Sequence, residues 1–383
     1  MKKYFGKRVL AAVMTIVVAS SAIPTIAMPQ KAKADTTNMK TIALNTPYTD
    51  HLEYHEGVSD GAKYYKFTVE KTGYITFSLS KVDPTLELAH GWDLDIFDMD
   101  GNQMDYSAQA WDSIKTNCIT PEYPFKKGDQ YYVRISDAYW FSSYTIHDVE
   151  YTLTVNNVEA HDWEIEPNND AATATELTIG STIYGNRSCR ALNDSVEDPI
   201  DYFSVTIPET AYYTINLKKK DPTAYVRDGW DVTLKDSLGN QLTSFNATTA
   251  ASSDQLLMKK GQKYYISIQG EYYYTFMVTY QLSIDKTANL SVSKVKKINK
   301  YKRGIGKISW NNVNNATSYQ IKVSSSKKFP KAKTTILTST ERQCYIRDNI
   351  TKKRAYVKIR VCYTSIDNEN IYSAWSKVKM VKR

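Results

Sequence analysis

The sequence predicts an all-β protein, with two tandem jelly-roll-like β-sandwiches followed by a third β-sandwich of a different kind. The 383 residues include 30 tyrosines, and Thr and Val recur in alternating runs, as is typical of strands. No long stretch spaces its apolar residues three and four apart, as an amphipathic helix would. Several short motifs recur at one constant distance, which indicates an internal repeat. We expect the modules to span residues 35–158, 159–286 and 287–383.

Residues 1–34 are predicted to be a secretory signal peptide. Four cationic side chains lie within the first eight residues, an apolar stretch covers residues 9–27, and Ala32-Lys33-Ala34 precedes Asp35. An uncleaved membrane anchor is the alternative, which Pro24 and the small-residue cleavage site disfavour. No later segment has the roughly 18 consecutive apolar residues of a membrane helix, so we expect no membrane span after signal cleavage. The expected location is extracellular, with association with the cell wall as a further expectation.

Three motifs of the first module recur in the second. They are Asp83-Pro84-Thr85, Gly91-Trp92-Asp93 and Gly101-Asn102-Gln103, which reappear as Asp221-Pro222-Thr223, Gly229-Trp230-Asp231 and Gly239-Asn240-Gln241, always 138 positions later. At the same offset, the alternating residues Tyr65, Phe67 and Val69 match Phe203, Val205 and Ile207. Such alternation is typical of strands with one buried face. Each copy is therefore predicted to hold about eight short strands, as β-sandwiches and jelly rolls do.

The acidic segment Asp98-Met99-Asp100-Gly101 has two interpretations, a calcium loop or a hairpin turn. Its counterpart in the second copy, Asp236-Ser237-Leu238-Gly239, lacks one of the carboxylates. A hairpin is the better interpretation, because glycine supplies the positive φ that such turns need.

The second copy resembles a known family of β-sandwiches. Glu-Ile-Glu-Pro-Asn-Asn-Asp at 164–170, followed by Asp-Pro-Ile-Asp-Tyr-Phe at 198–203, resembles the opening of the bacterial pre-peptidase C-terminal domain, a relative of the collagen-binding domains of clostridial collagenases. The hairpin at Gly239 and the Lys-Gly pair before Tyr264-Tyr265 fit that family's later strands. The resemblance covers residues 161–285 well and residues 36–158 more weakly.

The resemblance implies calcium in the second copy only. In the collagen-binding branch, oxygens from the entry linker and from a later Asp-x-x-Asp pair hold the ion, and the matching residues here are Glu164, Glu166, Asn168, Asn169, Asp198 and Asp201. Calcium takes about six to eight oxygen ligands, which suits this set. A solvated Pro-Asn turn is the alternative. In the first copy, Lys63 stands where Asp201 does, so we expect no metal there.

The third module resembles a fibronectin type III domain of the lysine-rich kind found in secreted proteins of anaerobic Firmicutes. The residues that carry this resemblance are Trp310, Tyr319, Tyr356 and Trp375, the last within the closing Ser-Ala-Trp-Ser stretch. We expect all four aromatic side chains to belong to the core. The module also contains Cys344 and Cys362, which form either a disulfide or two buried thiols.

Charge is divided unevenly along the chain. Residues 286–383 hold 24 Lys and Arg against 4 Asp and Glu, whereas residues 35–285 are acidic. A dense cationic surface suits an anionic cell-wall polymer or another polyanion. The alternative is that the lysines only keep an exposed sheet soluble. Nucleic acid is not an expected partner, because secretion separates the protein from it.

Two aromatic clusters are candidate ligand contacts. Tyr139, Trp140 and Phe141 in the first copy, and Tyr272, Tyr273 and Tyr274 in the second, precede the last strand of each. Aromatic rings offer a large rigid contact area, which suits a matrix protein or a polysaccharide. Alternation along a strand must still turn some of these rings into the core.

The sequence predicts no enzyme. His51 and His55 lie four apart, but in neither of the known zinc-protease orders, and there is no Gly-x-Ser-x-Gly elbow. The expected function is therefore a secreted binding or adhesion protein. The alternatives are a non-catalytic accessory or targeting protein for a secreted peptidase, and a structural spacer array without a ligand of its own.

Overall fold

A computed structural model describes most of the chain after the predicted signal peptide. The described residues are 39–52, 62–85, 92–101, 103–105, 117–120, 122–137, 149–186, 200–224, 226, 229–270, 278–302, 305–347 and 354–382. These segments contain strands and a single 3-10 turn, Lys331–Lys333. The predicted all-β fold class is therefore confirmed. No helix among the described residues is long and apolar enough to cross a membrane.

Ten strands of the first module form two sheets. They are β1 (Lys40–Thr41), β2 (Tyr48–Leu52), β3 (Lys63–Thr68), β4 (Gly73–Lys81), β5 (Trp92–Asp98), β6 (Gln103–Asp105), β7 (Asn117–Ile119), β8 (Tyr123–Phe125), β9 (Gln130–Asp137) and β10 (Val149–Glu159). One sheet has the order β1-β3-β9-β5-β6, and the other has β2-β10-β4-β7 with β8 also paired to β4. Buried side chains of both sheets meet in one apolar core, which makes the module a sandwich.

The second module repeats this topology strand for strand. Its strands are β11 (Thr175–Glu176), β12 (Thr182–Gly185), β13 (Asp201–Thr206), β14 (Ala211–Lys219), β15 (Trp230–Lys235), β16 (Gln241–Ala247), β17 (Ala250–Ser252), β18 (Leu256–Met258), β19 (Lys263–Gly270) and β20 (Tyr280–Asn289). Their orders are β11-β13-β19-β15-β16 and β12-β20-β14-β17, with β18 on β14. Each strand number is ten higher than that of the corresponding strand in the first module. The repeat predicted from the motifs is thus present in the strand pairing, and β20 continues three residues past the boundary predicted at 286.

The predicted alternation of these strands is confirmed by their burial. Tyr65 and Phe67 on β3, with Val69 just after it, are almost fully buried, and so are their counterparts on and after β13. The predicted hairpins are also present: Gly101 and Gly239 have φ of 85° and 87°. In both turns the first Asp accepts a backbone N–H through its carboxylate, at 2.9 Å in the first copy and 2.8 Å in the second. These aspartates stabilise turns, as the hairpin interpretation required.

The third module has eight strands in two further sheets. They are β21 (Val295–Lys302), β22 (Ile305–Trp310), β23 (Ser318–Ser324), β24 (Thr334–Ser339), β25 (Gln343–Arg347), β26 (Arg354–Thr364), β27 (Asn370–Tyr372) and β28 (Lys379–Lys382). One sheet has the order β21-β22-β25, and the other has β24-β23-β26-β27, with β28 also on β26. Trp310 and Tyr319 are buried between the sheets, as predicted.

Two aromatic residues expected in this core are not there. On β26, Ala355, Val357 and the next odd-numbered residues are buried. Because successive side chains of a strand point to opposite faces, Tyr356 lies on the outer face of the sheet. Trp375 also lies outside the core, partly exposed beside cationic side chains of that face. The buried tyrosine of β26 is Tyr363, whose hydroxyl donates to the Ser291 carbonyl at 2.6 Å.

The two cysteines of the third module are free thiols. Cys344 lies on β25 and Cys362 on β26, in different sheets. Burial raises the pKa of the Cys344 thiol to about 12. The sequence left a disulfide and two thiols open for Cys344 and Cys362, and the structure contains the two thiols.

Candidate metal centre

Three buried carboxylates converge where the linker between the first two modules meets β13. Glu164 and Glu166 come from the linker, and Asp201 is the first residue of β13. One oxygen of each lies within 4.8 Å of the others. The side chains of Glu164 and Asp201 are almost fully buried, and that of Glu166 is 8 % exposed. Within the described part of the chain, this is the group of side chains that could hold a metal ion.

Backbone hydrogen bonds hold the linker against the second module. The N–H of Glu164 donates to the carbonyl of Tyr184 on β12 at 2.9 Å, and the N–H of Tyr184 donates to the carbonyl of Asp162 at 2.6 Å. Farther on, the N–H of Tyr202 donates to the carbonyl of Asn168 at 2.8 Å. The linker therefore runs from the edge strand β12 to the start of β13, which fixes the two glutamates opposite Asp201.

Amide groups order the carboxylates further. Glu164 accepts the backbone N–H of Asn186 at 2.7 Å and the side-chain N–H of Asn168 at 3.2 Å. Glu166 accepts the backbone N–H of Asn168 at 2.9 Å. None of these three bonds brings a positive charge to the carboxylates, and negative charge is costly in a buried site.

Tyr280 connects two of the carboxylates. Its hydroxyl lies 2.5 Å from Asp201 Oδ2 and 3.0 Å from Glu164 Oε2. Burial, together with the charges of Asp201 and Glu164, holds the pKa of Tyr280 well above its usual range, so the hydroxyl is a neutral donor. It has one proton, which can serve only one of the two carboxylates at a time.

The donor set fits a calcium ion. Asn168 is fully buried, and its side-chain Oδ1 has no hydrogen-bond partner among the described residues. A buried carbonyl left in this state costs about 1–3 kcal/mol, which a cation would recover. Carboxylate and amide oxygens are hard donors of the kind that calcium prefers. Glu164, Glu166, Asp201 and Asn168 would hold the ion, and its charge would offset theirs.

Gly185 makes room for the site at the end of β12. A Cβ added there would lie 2.4 Å from the Tyr280 hydroxyl oxygen and 2.6 Å from Glu164 Oε2. We expect Gly185→Ala to displace both groups and to lower the free energy of unfolding of the second module by about 1–3 kcal/mol, measured by urea unfolding. Gly306→Ala on β22 is the control, because no heavy atom of the described residues lies within 4 Å of its added Cβ. Equal effects of both substitutions would contradict the close packing at Gly185.

The first module has a different network at the equivalent position. Lys63 pairs with Ile135 as Asp201 pairs with Ile268, so strand register places the lysine at the aspartate's position, as the sequence indicated. The hydroxyl of Tyr65 contacts that of Tyr151 and donates to Asp50 at 3.0 Å. The expectation of no metal in this module stays a prediction.

The charge of Asp50 in that network is stabilised by protein groups alone. Burial by itself would raise the pKa of Asp50, but the N–H of His51, the Tyr65 hydroxyl and the charges of Lys40 and Lys63 outweigh it and lower that pKa. In the first module, therefore, a lysine ammonium supplies positive charge where the second module gathers carboxylates.

The structure describes only one of the remaining predicted site residues. Asn169 is exposed, one residue past the buried Asn168. Asp198 and the two aromatic clusters, Tyr139–Phe141 and Tyr272–Tyr274, lie outside the described residues. Sequence reasoning missed Asn186, Gly185 and the role of Tyr280. The available signal for Tyr280 was its match to Tyr151 in the repeat, since a tyrosine at the same core position in both copies has a hydroxyl that needs a partner.

Comparisons with known proteins give structural neighbours only. No family model matches the chain, and no curated protein matches it. Among solved structures, the chain is similar to the pre-peptidase C-terminal domain of a collagenase from Bacillus anthracis, at 18 % identity over 31 % of this chain and 94 % of that chain, with a TM-score of 0.22.

Two other solved structures match different lengths of the chain. A segment of two fibronectin type III domains from chicken tenascin matches at 14 % identity over 49 % of this chain and 100 % of that chain, with a TM-score of 0.28. A β-1,2-glucanase from Parabacteroides distasonis matches at 12 % identity over 55 % of this chain and 38 % of that chain, with a TM-score of 0.17.

Proposed function

We propose that this chain is a secreted, non-catalytic binding or adhesion protein whose second module is organised by calcium. The observation that carries the proposal is the buried cluster of Glu164, Glu166 and Asp201 beside the unsatisfied oxygen of Asn168. The sandwich modules bind a matrix protein or glycan, and the basic third module contacts an anionic wall polymer or another polyanion.

Calcium at this cluster would tie the linker to the second module. Three of the proposed ligands, Glu164, Glu166 and Asn168, come from the linker and one, Asp201, from β13, so the ion would close a contact that the unfolded chain lacks. Binding then stabilises the folded module by mass action.

The same ion would stiffen the joint with the first module. Asn186, which donates its backbone N–H to Glu164, also donates its side-chain N–H to the carbonyl of Glu122 in the first module. Lys220 of the second module pairs with the carboxylate of Glu122 at 2.6 Å. Trp163, in the linker, lies against Tyr74 with ring centroids 5.2 Å apart. Order at the metal site therefore extends into the contact between the two sandwiches, which suits a protein that presents surfaces in a fixed relation.

Calorimetric titration of the full chain with calcium, alongside retention on collagen, wall polysaccharide and heparin, tests the proposal. We expect heat from one site on the second module, abolished by Asp201→Ala, and retention on at least one of the three ligands. Glu176→Gln, an exposed carboxylate on β11, is the matched control and should titrate as the parent does. Absence of heat in the parent would remove the metal site. Retention on none of the ligands would favour a spacer array.

A further inference from the structure

One outer face of the third module combines cations with aromatic rings. This cationic-aromatic face consists of Lys322, Lys358, Arg360, Tyr372 and Trp375. The Lys322 and Lys358 ammonium groups lie 4.6 and 5.4 Å from the centroid of the Trp375 ring, and the Arg360 guanidinium lies 4.7 Å from it. Arg360 also lies 3.9 Å from the centroid of the Tyr372 ring. Three cations therefore surround a single indole.

Strand alternation builds this face. On β23 and β26 the inward residues, such as Ile321 and Val357, are fully buried, which leaves Lys322, Lys358 and Arg360 on the opposite side. Lys322 and Lys358 are register partners on adjacent strands. Like charges placed directly opposite one another destabilise a sheet, so this arrangement has a cost to the fold itself.

The described residues supply no carboxylate to these three cations. The Arg360 guanidinium donates to the amide oxygen of Gln320 instead. Burial and the neighbouring charge of Lys322 lower the pKa of Lys358, as expected where no anion compensates. Two of the four acidic residues in 286–383 are used elsewhere: Asp367 accepts the Tyr264 hydroxyl and Glu369 pairs with Lys259, both of the second module. An anion from outside the chain would complete the face.

A groove adjoins the face at Trp375. Its volume is about 450 Å³, and Trp375 is shared between the groove and the face. The other lining residues are the apolar Val292, Val295 and Val378, the cationic Lys294, Lys377 and Lys379, and Ser376. This size is in the range of sites for small organic groups. The groove thus combines apolar side chains with several cationic residues beside Trp375.

We propose that the cationic-aromatic face and its groove bind a linear polysaccharide carrying sulfate or phosphate groups, with one sugar ring against Trp375. The proposal rests on the proposed function and names the surface and partner of its polyanion contact. A sugar presents an apolar C–H face and carries its anionic group directly on the ring, so ring and anion can meet Trp375 and the adjacent cations together. In a nucleic acid strand, by contrast, the ribose separates each base from its phosphate. The close grouping of indole and cations therefore favours the glycan.

Binding of the full chain to immobilised heparin at several salt concentrations tests the face. We expect the double variant Lys322→Gln and Lys358→Gln to reduce the slope of log affinity against log salt by about 2, since each lost ionic contact removes about one released counterion. The control is Lys296→Gln with Lys297→Gln, which makes the same charge change on exposed residues of β21 and should keep the parent slope. We expect Trp375→Ala to weaken binding at least about fivefold, the effect typical of losing one stacked ring, and Trp375→Phe to retain most of the affinity.

Each outcome decides a different part of the proposal. Thermal unfolding of every variant identifies loss of fold, and the lysine pair tests the face independently of Trp375. Parent protein retained on neither heparin nor teichoic acid would overturn the polyanion function itself. If the face variant and the control variant lose retention equally, the chain still binds a polyanion, but the cationic-aromatic face is not the binding surface. Trp375→Ala with parent affinity would overturn the sugar contact. Tighter binding to single-stranded DNA than to heparin at equal salt, with the same variants affected, would replace the glycan by nucleic acid.

Discussion

Asp201→Asn is expected to remove calcium binding and, with it, the stabilisation that calcium gives to the second module. At a calcium concentration about 100 times the dissociation constant, a bound ion stabilises the folded state by about 2.7 kcal/mol. Asp201 is fully buried and one of three carboxylates within 4.8 Å of one another. The replacement amide has nearly the same shape and can still accept the Tyr280 hydroxyl. We therefore expect the variant to unfold at a lower temperature than the parent in calcium.

The comparison in chelator separates a metal ligand from a structural residue. Without calcium, the parent has lost the ion that offsets its buried charges, so parent and Asp201→Asn should differ much less in melting temperature than they do in calcium. Glu176→Gln should follow the parent in both buffers. An equal loss of stability with and without calcium would assign Asp201 to the fold and contradict the metal site.

The fold was accessible from the sequence because it is repeated. Alternating apolar residues such as Tyr65 and Phe67 on β3 define one buried face each, and the same pattern on β13 fixes the second copy. The aromatic residues of the third module were harder to assign. Trp375 lies between β27 and β28 rather than in a long alternating strand, so no period in the sequence determines which way it points. Large aromatic side chains are usually buried, and that general tendency gave the wrong assignment.

The candidate metal centre was only partly predictable from the sequence. Glu164, Glu166, Asn168 and Asp201 were predicted from the resemblance of residues 164–170 and 198–203 to the pre-peptidase C-terminal domain. Tyr280 lies 79 residues from Asp201, and Gly185 contributes only by lacking a side chain. Contacts of this kind depend on the pairing of β12 and β20, which no local pattern specifies.

The second and third modules are joined through a strand with two buried faces. On β18, Leu256 and Met258 belong to the core of the second module, whereas Leu257 between them belongs to the core of the third. Tyr212 on β14, the register partner of Leu257, also belongs to the core of the third module. Its ring packs edge-on against that of Tyr363, with ring centroids 6.4 Å apart. The N–H of Ile366 donates to the Leu257 carbonyl at 2.9 Å. Polar contacts accompany this apolar one, because Asp367 and Glu369 of the third module bind Tyr264 and Lys259 of the second.

Leu257→Ala is therefore expected to destabilise the third module although the substitution lies in the second. Loss of a buried leucine costs about 2–5 kcal/mol, and here the cavity opens onto the core that contains Tyr363. Thiol labelling of Cys362, which is buried in the third module, reports the unfolding of that module directly in a background of Cys118→Ser, Cys189→Ser and Cys344→Ser. We expect Leu257→Ala to shift the urea midpoint of Cys362 labelling downwards.

The coupling also has a consequence for calcium. If the two modules unfold together, an ion bound by the second must protect a thiol of the third, so calcium should raise the urea midpoint of Cys362 labelling in the parent. In Leu257→Ala that protection should be smaller. Leu153→Ala, which truncates a fully buried leucine in the core of the first module, is the matched control and should leave Cys362 labelling unchanged. If neither calcium nor Leu257→Ala changes the urea midpoint of Cys362 labelling, the shared apolar contact does not couple the two modules.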